Sequence, residues 1–280
     1  MSKNLFTLLI AFIMCLASCS FVSKDFDTSD KDNLIIQLIT YVLDQAHYLD
    51  IEINDEFSEK VFDTFLENLD PYKRYFYASD IEEFSKYKYL IDDSFKNPNL
   101  DFFELVYKRY SKRMLESEKI FNDILSKPFD FNKDEVCECD FEELDYVKTK
   151  DQLFDRWRKL LKIYVIENYH NEIEDDLRKS KEDSDFILRN PALIEKKTRE
   201  TLKETMQQNY AFISEEMQRS DWFSVYINSF VSQYDPNTSY LDPESKDRFD
   251  VDMSGNYAGI GARLQKKIDK VEITEVISGG

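Results

Sequence analysis

Glycine is the residue type that most narrows what this chain can become. All five glycines lie between Gly255 and Gly280, so the first 254 of the 280 residues contain none. Average usage of about 7% would place roughly 20 in a chain of this length. Dinucleotide-binding turns, phosphate-cradling loops and nucleophile elbows need glycine for close backbone approach or positive φ. None of them fits before residue 255, and neither does an all-β fold with many tight turns. The expectation is a mainly α chain, with a different kind of structure beginning near residue 251.

The length allows one large or two modest domains. A composition of 42% hydrophobic and 15% aromatic residues, including 22 Phe and 17 Tyr, supplies a sizeable core and excludes a disordered chain. The 56 acidic residues outnumber the 37 basic ones, for a net charge of −19, which becomes −20 if a leader carrying Lys3 is removed. A surface of that sign repels nucleic acid and anionic lipid. No nucleic-acid partner is therefore expected, and membrane contact only through an anchor.

Such an anchor is written at the N-terminus. Residues 1–20 read MSKNLFTLLIAFIMCLASCS, a lysine and then an apolar run from Leu5 to Ala17 broken only by Thr7. Thirteen helical residues reach about 20 Å, short of the roughly 30 Å hydrocarbon core. Residues 1–18 therefore read as a signal peptide rather than a membrane span. Leu16-Ala17-Ser18-Cys19 resembles the bacterial lipobox, in which cleavage precedes the cysteine and its sulfur carries a diacylglycerol. Cys19 is thus the lipidation candidate; the alternative is an ordinary secretory signal in which it is incidental. Lipidation would hold the protein in an extracytoplasmic, oxidising space without a spanning helix. Ser20, standing where aspartate would signal inner-membrane retention, implies the periplasmic face of the outer membrane. Residues 19–33 read as a polar tether.

Residues 34–250 read as a helical domain. Ile35, Leu38, Ile39, Val42, Ala46 and Leu49 recur at helical spacing and predict one buried face. A second helix runs from Phe57 to Leu69 and stops at Asp70-Pro71, because a residue before proline avoids the helical region. Ser79 and Glu82 form a capping box for a helix through Ile81, Phe84 and Ile91. Asn99 starts a long helix that ends before Pro128. Residues 129–147 are acidic and aperiodic. Next comes a helix from about Lys150 to Leu177 that buries Leu153, Trp157, Leu160, Tyr164 and Ile173. Beyond Pro191 a helix carries Leu202, Met206, Tyr210, Ile213 and Met217, and a short one carries Trp222, Tyr226, Ile227 and Phe230. After Met253 the apolar period becomes two, and Ile260–Lys266 with Val271–Ile277 predict a β-hairpin in the unit 251–280. Two strands alone are marginal, so the hairpin either docks on the body or belongs to a larger domain.

Several residue groups invite a chemical reading. Cys137-x-Cys139 lies among carboxylates, but a zinc site needs four ligands, and His47 and His170 are far away in sequence; no metal is expected, and the two thiols are free or bridged to each other. The histidines read as structural. Ser85-x-x-Lys88 matches the S-x-x-K of serine acyl enzymes without the motifs that accompany it, and is discounted as chance. The basic run from Arg156 to Lys162 reads as the solvated face of an amphipathic helix. Finally, Leu69-Asp70-Pro71-x-x-x-Tyr75-Phe76 and Tyr234-Asp235-Pro236-x-x-x-Tyr240-Leu241 share a pattern. Asp-Pro opens a turn, and the pair that follows can fold back on the helix just ended. No catalytic residue and no cofactor emerge.

The segment LDPYKRYFYASDIEEF (69–84) is similar to a characteristic stretch in the N-terminal helical domain of the tail-specific, or C-terminal processing, protease family. FVSQYDPNTSYLDPESKDRFDVDMSGNYAGIGARLQ (230–265), followed by VEITEVISGG, resembles that family's junction between helical domain and PDZ domain. The resemblance implies that residues 251–280 begin a PDZ domain. In such domains a peptide adds as a strand, and its terminal carboxylate sits on backbone N–H groups of a glycine-containing loop, here Gly259, Ile260, Gly261 and Ala262. It implies protein or peptide C-termini as partners, with an adaptor lipoprotein as a further one. The family's serine nucleophile and lysine base belong to a domain after the PDZ domain and have no counterpart in these residues. The expectation is therefore the N-terminal part of a lipid-anchored tail-specific serine protease, inactive by itself. The alternative is a non-enzymatic extracytoplasmic lipoprotein whose helical body binds a protein partner.

Overall fold

A computed structural model describes residues 28–255, 261–266 and 271–276. The expected leader, Cys19, Gly259 and Ile260 lie outside the described residues. Within them the chain is mainly α: nine α-helices and then a two-stranded antiparallel sheet. Before Gly255 the left-handed region is entered by one described residue, Lys73 at φ 45°. A body built almost wholly from helices and extended links has no need of glycine.

Helix α1 (Thr28–Ala46) starts inside the stretch expected as a tether and stops short of Leu49. It buries Asp32, Ile36 and Leu43, with Ile35 and Ile39 half-buried. The expected face is turned aside, with Leu38 54% and Val42 55% exposed. Asp32 explains the rotation, since its carboxylate accepts from Arg219 at 2.5 Å and must face the body. Helix α2 (Asp55–Leu69) follows its pattern: Phe57, Val61, Phe62, Phe65, Leu66 and Leu69 are all buried. Asn54 caps it by accepting from Phe57 N–H at 3.1 Å.

The single helix expected from Ser79 to Ile91 is broken into α3 (Ala78–Phe84), a 3-10 turn (Ser85–Tyr87) and α4 (Ile91–Lys96). Ser85 Oγ donates back to Ile81 C=O at 2.8 Å, a local bond that competes with the helical ladder and bends it. The start also differs, because Asp80 and not Glu82 closes the box, accepting from Tyr77 N–H at 2.9 Å. Asp80 then ion-pairs with Arg109 and Arg113 of α5 (Asp101–Ile124) with its side chain 1% exposed. That second task fixes which acid turns inward.

Helix α6 (Lys150–Glu182) has 33 residues, about 50 Å at 1.5 Å each. Its first half buries Leu153, Trp157, Leu160, Leu161 and Val165. Tyr164, expected inside, is exposed, and the second half forms an antiparallel pair with α7 (Pro191–Ala211). Arg189 holds that pair at its turn by donating to Asp176. The expected continuation of α7 to Met217 becomes a π-turn, Phe212–Glu216. Helix α8 (Arg219–Val231) returns to the centre against α2 and α5. The core there is aromatic: Phe95 and Phe230 stack at 3.6 Å, and Tyr226 meets Phe65 edge-on at 5.0 Å. The edge-on geometry of the second pair adds about 0.5–1.5 kcal/mol beyond area burial.

The basic run on α6 is corrected by its surroundings. Lys162 is buried and donates to Glu135 at 2.7 Å, and Arg158 grips the same carboxylate with two nitrogens at 2.9 and 2.5 Å. Arg156 donates to the carbonyls of Lys73 and Asp145. These cations clamp the acidic 129–147 segment and are not a solvated face. The segment ends in a parallel bridge between Val147 and Tyr77.

Helix α9 (Pro243–Ser254) is capped by Asp242, which accepts from the N–H groups of Glu244 and Ser245, and is ended by Gly255 at φ 64°. No α9 residue is buried. Strand β1 (Ala262–Lys266) then pairs with β2 (Val271–Val276). Leu264, Val271, Ile273 and Val276 are at least half exposed.

Candidate functional site

The two Asp-Pro motifs become two aspartate-centred loops that hold the ends of the helical body. After α2, Pro71 turns the chain away and Lys73 N–H donates to Asp70 C=O at 3.0 Å. Lys73 takes the left-handed conformation that closes this turn. The next three backbone N–H groups point at the Asp70 carboxylate: Arg74 at 2.8 Å, Tyr75 at 2.9 Å and Phe76 at 2.9 Å. Burial pushes the Asp70 carboxyl up, while the same three amides pull it down. Tyr75 and Phe76 fold back into the core as expected, at 5% and 0% exposure. Trp157 of α6 donates its indole N–H to Arg74 C=O at 2.8 Å. The Arg74 guanidinium lies over the Tyr72, Tyr75 and Trp157 rings. The loop thus ties α2 to α6.

The second loop follows α8. Asp235 accepts from Asn237 N–H at 2.7 Å, from the Thr238 hydroxyl, and from His47 Nε2 at 2.9 Å. His47 Nδ1 accepts from Leu49 N–H at 3.2 Å, so both ring nitrogens are engaged. The Thr238 hydroxyl, then His47, hold the Asp235 carboxyl down at about 2. Asn228 of α8 brackets Tyr240, accepting its N–H at 2.7 Å and donating to its C=O at 3.0 Å. The aromatic residue folds back only in part, since Tyr240 is half-buried and Leu241 is 40% exposed. His47 is structural, as its sequence context implied, but its partner 188 residues away has no sequence signal. Together these bonds fix the end of α1 against the loop that leads into α9.

Of the four residues expected to form a carboxylate loop, Gly261 has φ 65° and Ala262 opens β1. A positive φ at Gly261 is the conformation for which glycine is suited.

The remaining candidates resolve plainly. Ser85 Oγ donates to carbonyls, and Lys88 Nζ pairs with Glu59 at 2.9 Å and Asp63 at 3.5 Å. The Glu59 hydrogen bond holds the Lys88 ammonium above its ordinary value, the opposite of a general base. Cys137 and Cys139 are both free thiols. Among the described residues no group of three or more His, Cys, Asp or Glu is placed to hold a metal, and no helix is long and apolar enough to cross a membrane. His170, exposed on α6, faces Glu174 one turn on at 3.2 Å.

Residues 39–244 match the family described as the tail specific protease N-terminal domain. That span runs from the middle of α1 to the first turn of α9 and includes both aspartate loops. The chain is also 27% identical over 255 residues to the tail-specific protease of Haemophilus influenzae, covering 90% of this chain. It spans about a third of the length of that relative, 33%. The chain belongs to the tail-specific protease family, in the part that forms its N-terminal domain.

Proposed function

We propose that this chain is the N-terminal part of a lipid-anchored, extracytoplasmic tail-specific serine protease, and that its hairpin begins the PDZ module that reads substrate C-termini. Cys19 carries the lipid, and the Gly259–Ala262 loop receives the terminal carboxylate. Cleavage itself falls to a serine and a neutral lysine supplied by a later part of the protein. The observation that carries this reading is the continuous family match from α1 into α9, with Gly261 at positive φ immediately before strand β1 further along the chain. The hairpin's exposed apolar residues fit it too: Leu264 pairs across the ladder with Ile273, and both lack cover. Two strands of this kind need another layer to be stable.

The test is cleavage by the protein isolated from its own cells, using one substrate with a free C-terminal carboxylate and a twin whose C-terminus is an amide. The first should be cut and the second spared. Equal cutting of both would refute carboxylate recognition. The 280-residue chain alone should cut neither, and hydrolysis by it would place a catalytic group in the helical body.

A further inference from the structure

We propose that a groove between α5 and the end of α7 binds a partner segment that offers an apolar side chain flanked by lysine or arginine. The groove holds about 400 Å³, within the usual range for ligand pockets of about 300–1,000 Å³. Its walls include Tyr107, Tyr110 and Met114 of α5, Tyr210 of α7, Ile213 of the π-turn and Trp222 of α8. The rings are held from behind by the core. Tyr110 meets Trp222 edge-on at 4.9 Å, and Tyr210 lies 4.8 Å from buried Phe121. The site is therefore preformed, and its aromatic faces attract cations as well as apolar groups.

Three further observations select the occupant. Leu115, at the groove, is 60% exposed, and adjacent Phe212 is 58% exposed, so apolar surface is left uncovered at this place. The charged residues among the lining are Glu118 and Glu215. Both are exposed, and neither makes an ion pair among the described residues, although carboxylates elsewhere, such as Glu104 and Glu172, are matched with arginine. The wall that carries Ile213, Ser214 and Glu215 is a π-turn, a widened helical turn that is frequent at functional sites. Apolar depth below an uncompensated acidic rim fits a basic, apolar segment and repels an acidic one. This reading does not depend on the hairpin or on its carboxylate loop.

The probe is the peptide Lys-Lys-Leu-Phe-Lys-Lys, labelled with fluorescein at its N-terminus and amidated at its C-terminus, titrated with the 280-residue chain by anisotropy. The amide removes the group that the hairpin would recognise, so failure here and failure of the protease reading are separable. Binding is expected at about 100 μM or tighter, the range open to a short flexible peptide. Versions with Ser-Ser in place of Leu-Phe, or Glu in place of every Lys, should bind at least about tenfold more weakly. The double variant Glu118→Lys/Glu215→Lys should lose at least about tenfold. Glu167→Lys/Glu204→Lys, exposed residues with the same change in net charge, should lose less than about threefold. Circular dichroism establishes that each variant is folded. Absence of binding to the parent at about 1 mM, equal binding of the three peptides, or equal loss in the two double variants would overturn the proposal.

Discussion

Asp70 gives the sharpest test of how the first loop holds the body together. Replacing it with alanine leaves the N–H groups of Arg74, Tyr75 and Phe76 without an acceptor, and the last two belong to buried residues. A buried donor left unpaired costs about 1–3 kcal/mol, so those two alone cost about 2–6 kcal/mol. Removing a carboxylate that is itself costly to bury offsets part of this, which brings the expected loss to about 3 kcal/mol. For a domain of this size each kcal/mol lowers Tm by about 2–4 °C, so Asp70→Ala should melt about 6–12 °C below the parent. Asp70→Asn keeps one acceptor oxygen and should fall between the two. Thermal denaturation followed by circular dichroism at 222 nm measures both. If Asp70→Ala melts within about 2 °C of the parent, or Asp70→Asn is the worse of the pair, the three-amide cradle is not what holds this loop.

Other outcomes follow from the same geometry. Glu135 is held far below the ordinary carboxylate range, first by Arg158 and then by Lys162. The stability this pairing contributes is therefore full above about pH 4.3, the unfolded value, and is lost progressively as pH falls from there toward the folded value; hydrogen-exchange protection of residues 129–147, corrected for intrinsic rates, should fall over that range, and Glu135→Gln should reproduce the loss at pH 7. Unchanged exchange in that variant would show that Arg156 and the Val147 bridge suffice. Burial, then the neighbouring Cys139, push the Cys137 thiol up to about 11, so at pH 8 iodoacetamide should alkylate it more slowly than free cysteine; faster alkylation would contradict that environment. Cys19→Ala should abolish labelling by radioactive palmitate and release the protein from membranes, whereas persistent labelling would remove the lipid anchor.

Much of the architecture was readable because glycine is absent where helices stand. Gly255 itself marks the end of the last helix. Helices α2 and α5 were plain because their apolar residues occupy one side. Helix α1 was not, because it is apolar on two sides. Leu34, Leu38, Tyr41 and Val42 form one exposed line while Ile36 and Leu43 form the buried one, and periodicity cannot choose between them. The inward side is set by Asp32 meeting Arg219, a partner 187 residues away. Long-range polar pairing likewise hid the rest: the basic run on α6 looked solvated because its acceptor, Glu135, sits in a loop with no periodic signal. The Asp-Pro pattern announced two turns, but not that His47 would close the second. The groove on α5 was hidden for a different reason. Met114, Tyr210 and Trp222 follow core-like spacing, and the π-turn after α7 that completes the wall beside them has no periodic signal.

The most direct measurement of the central claim is the genomic reading frame beyond codon 280. It should continue, in the same frame or after a frameshift, into the remaining strands of a PDZ module and a domain carrying a serine and a lysine. A stop followed by an unrelated gene would contradict the protease reading and favour a lipoprotein whose helical body serves a partner.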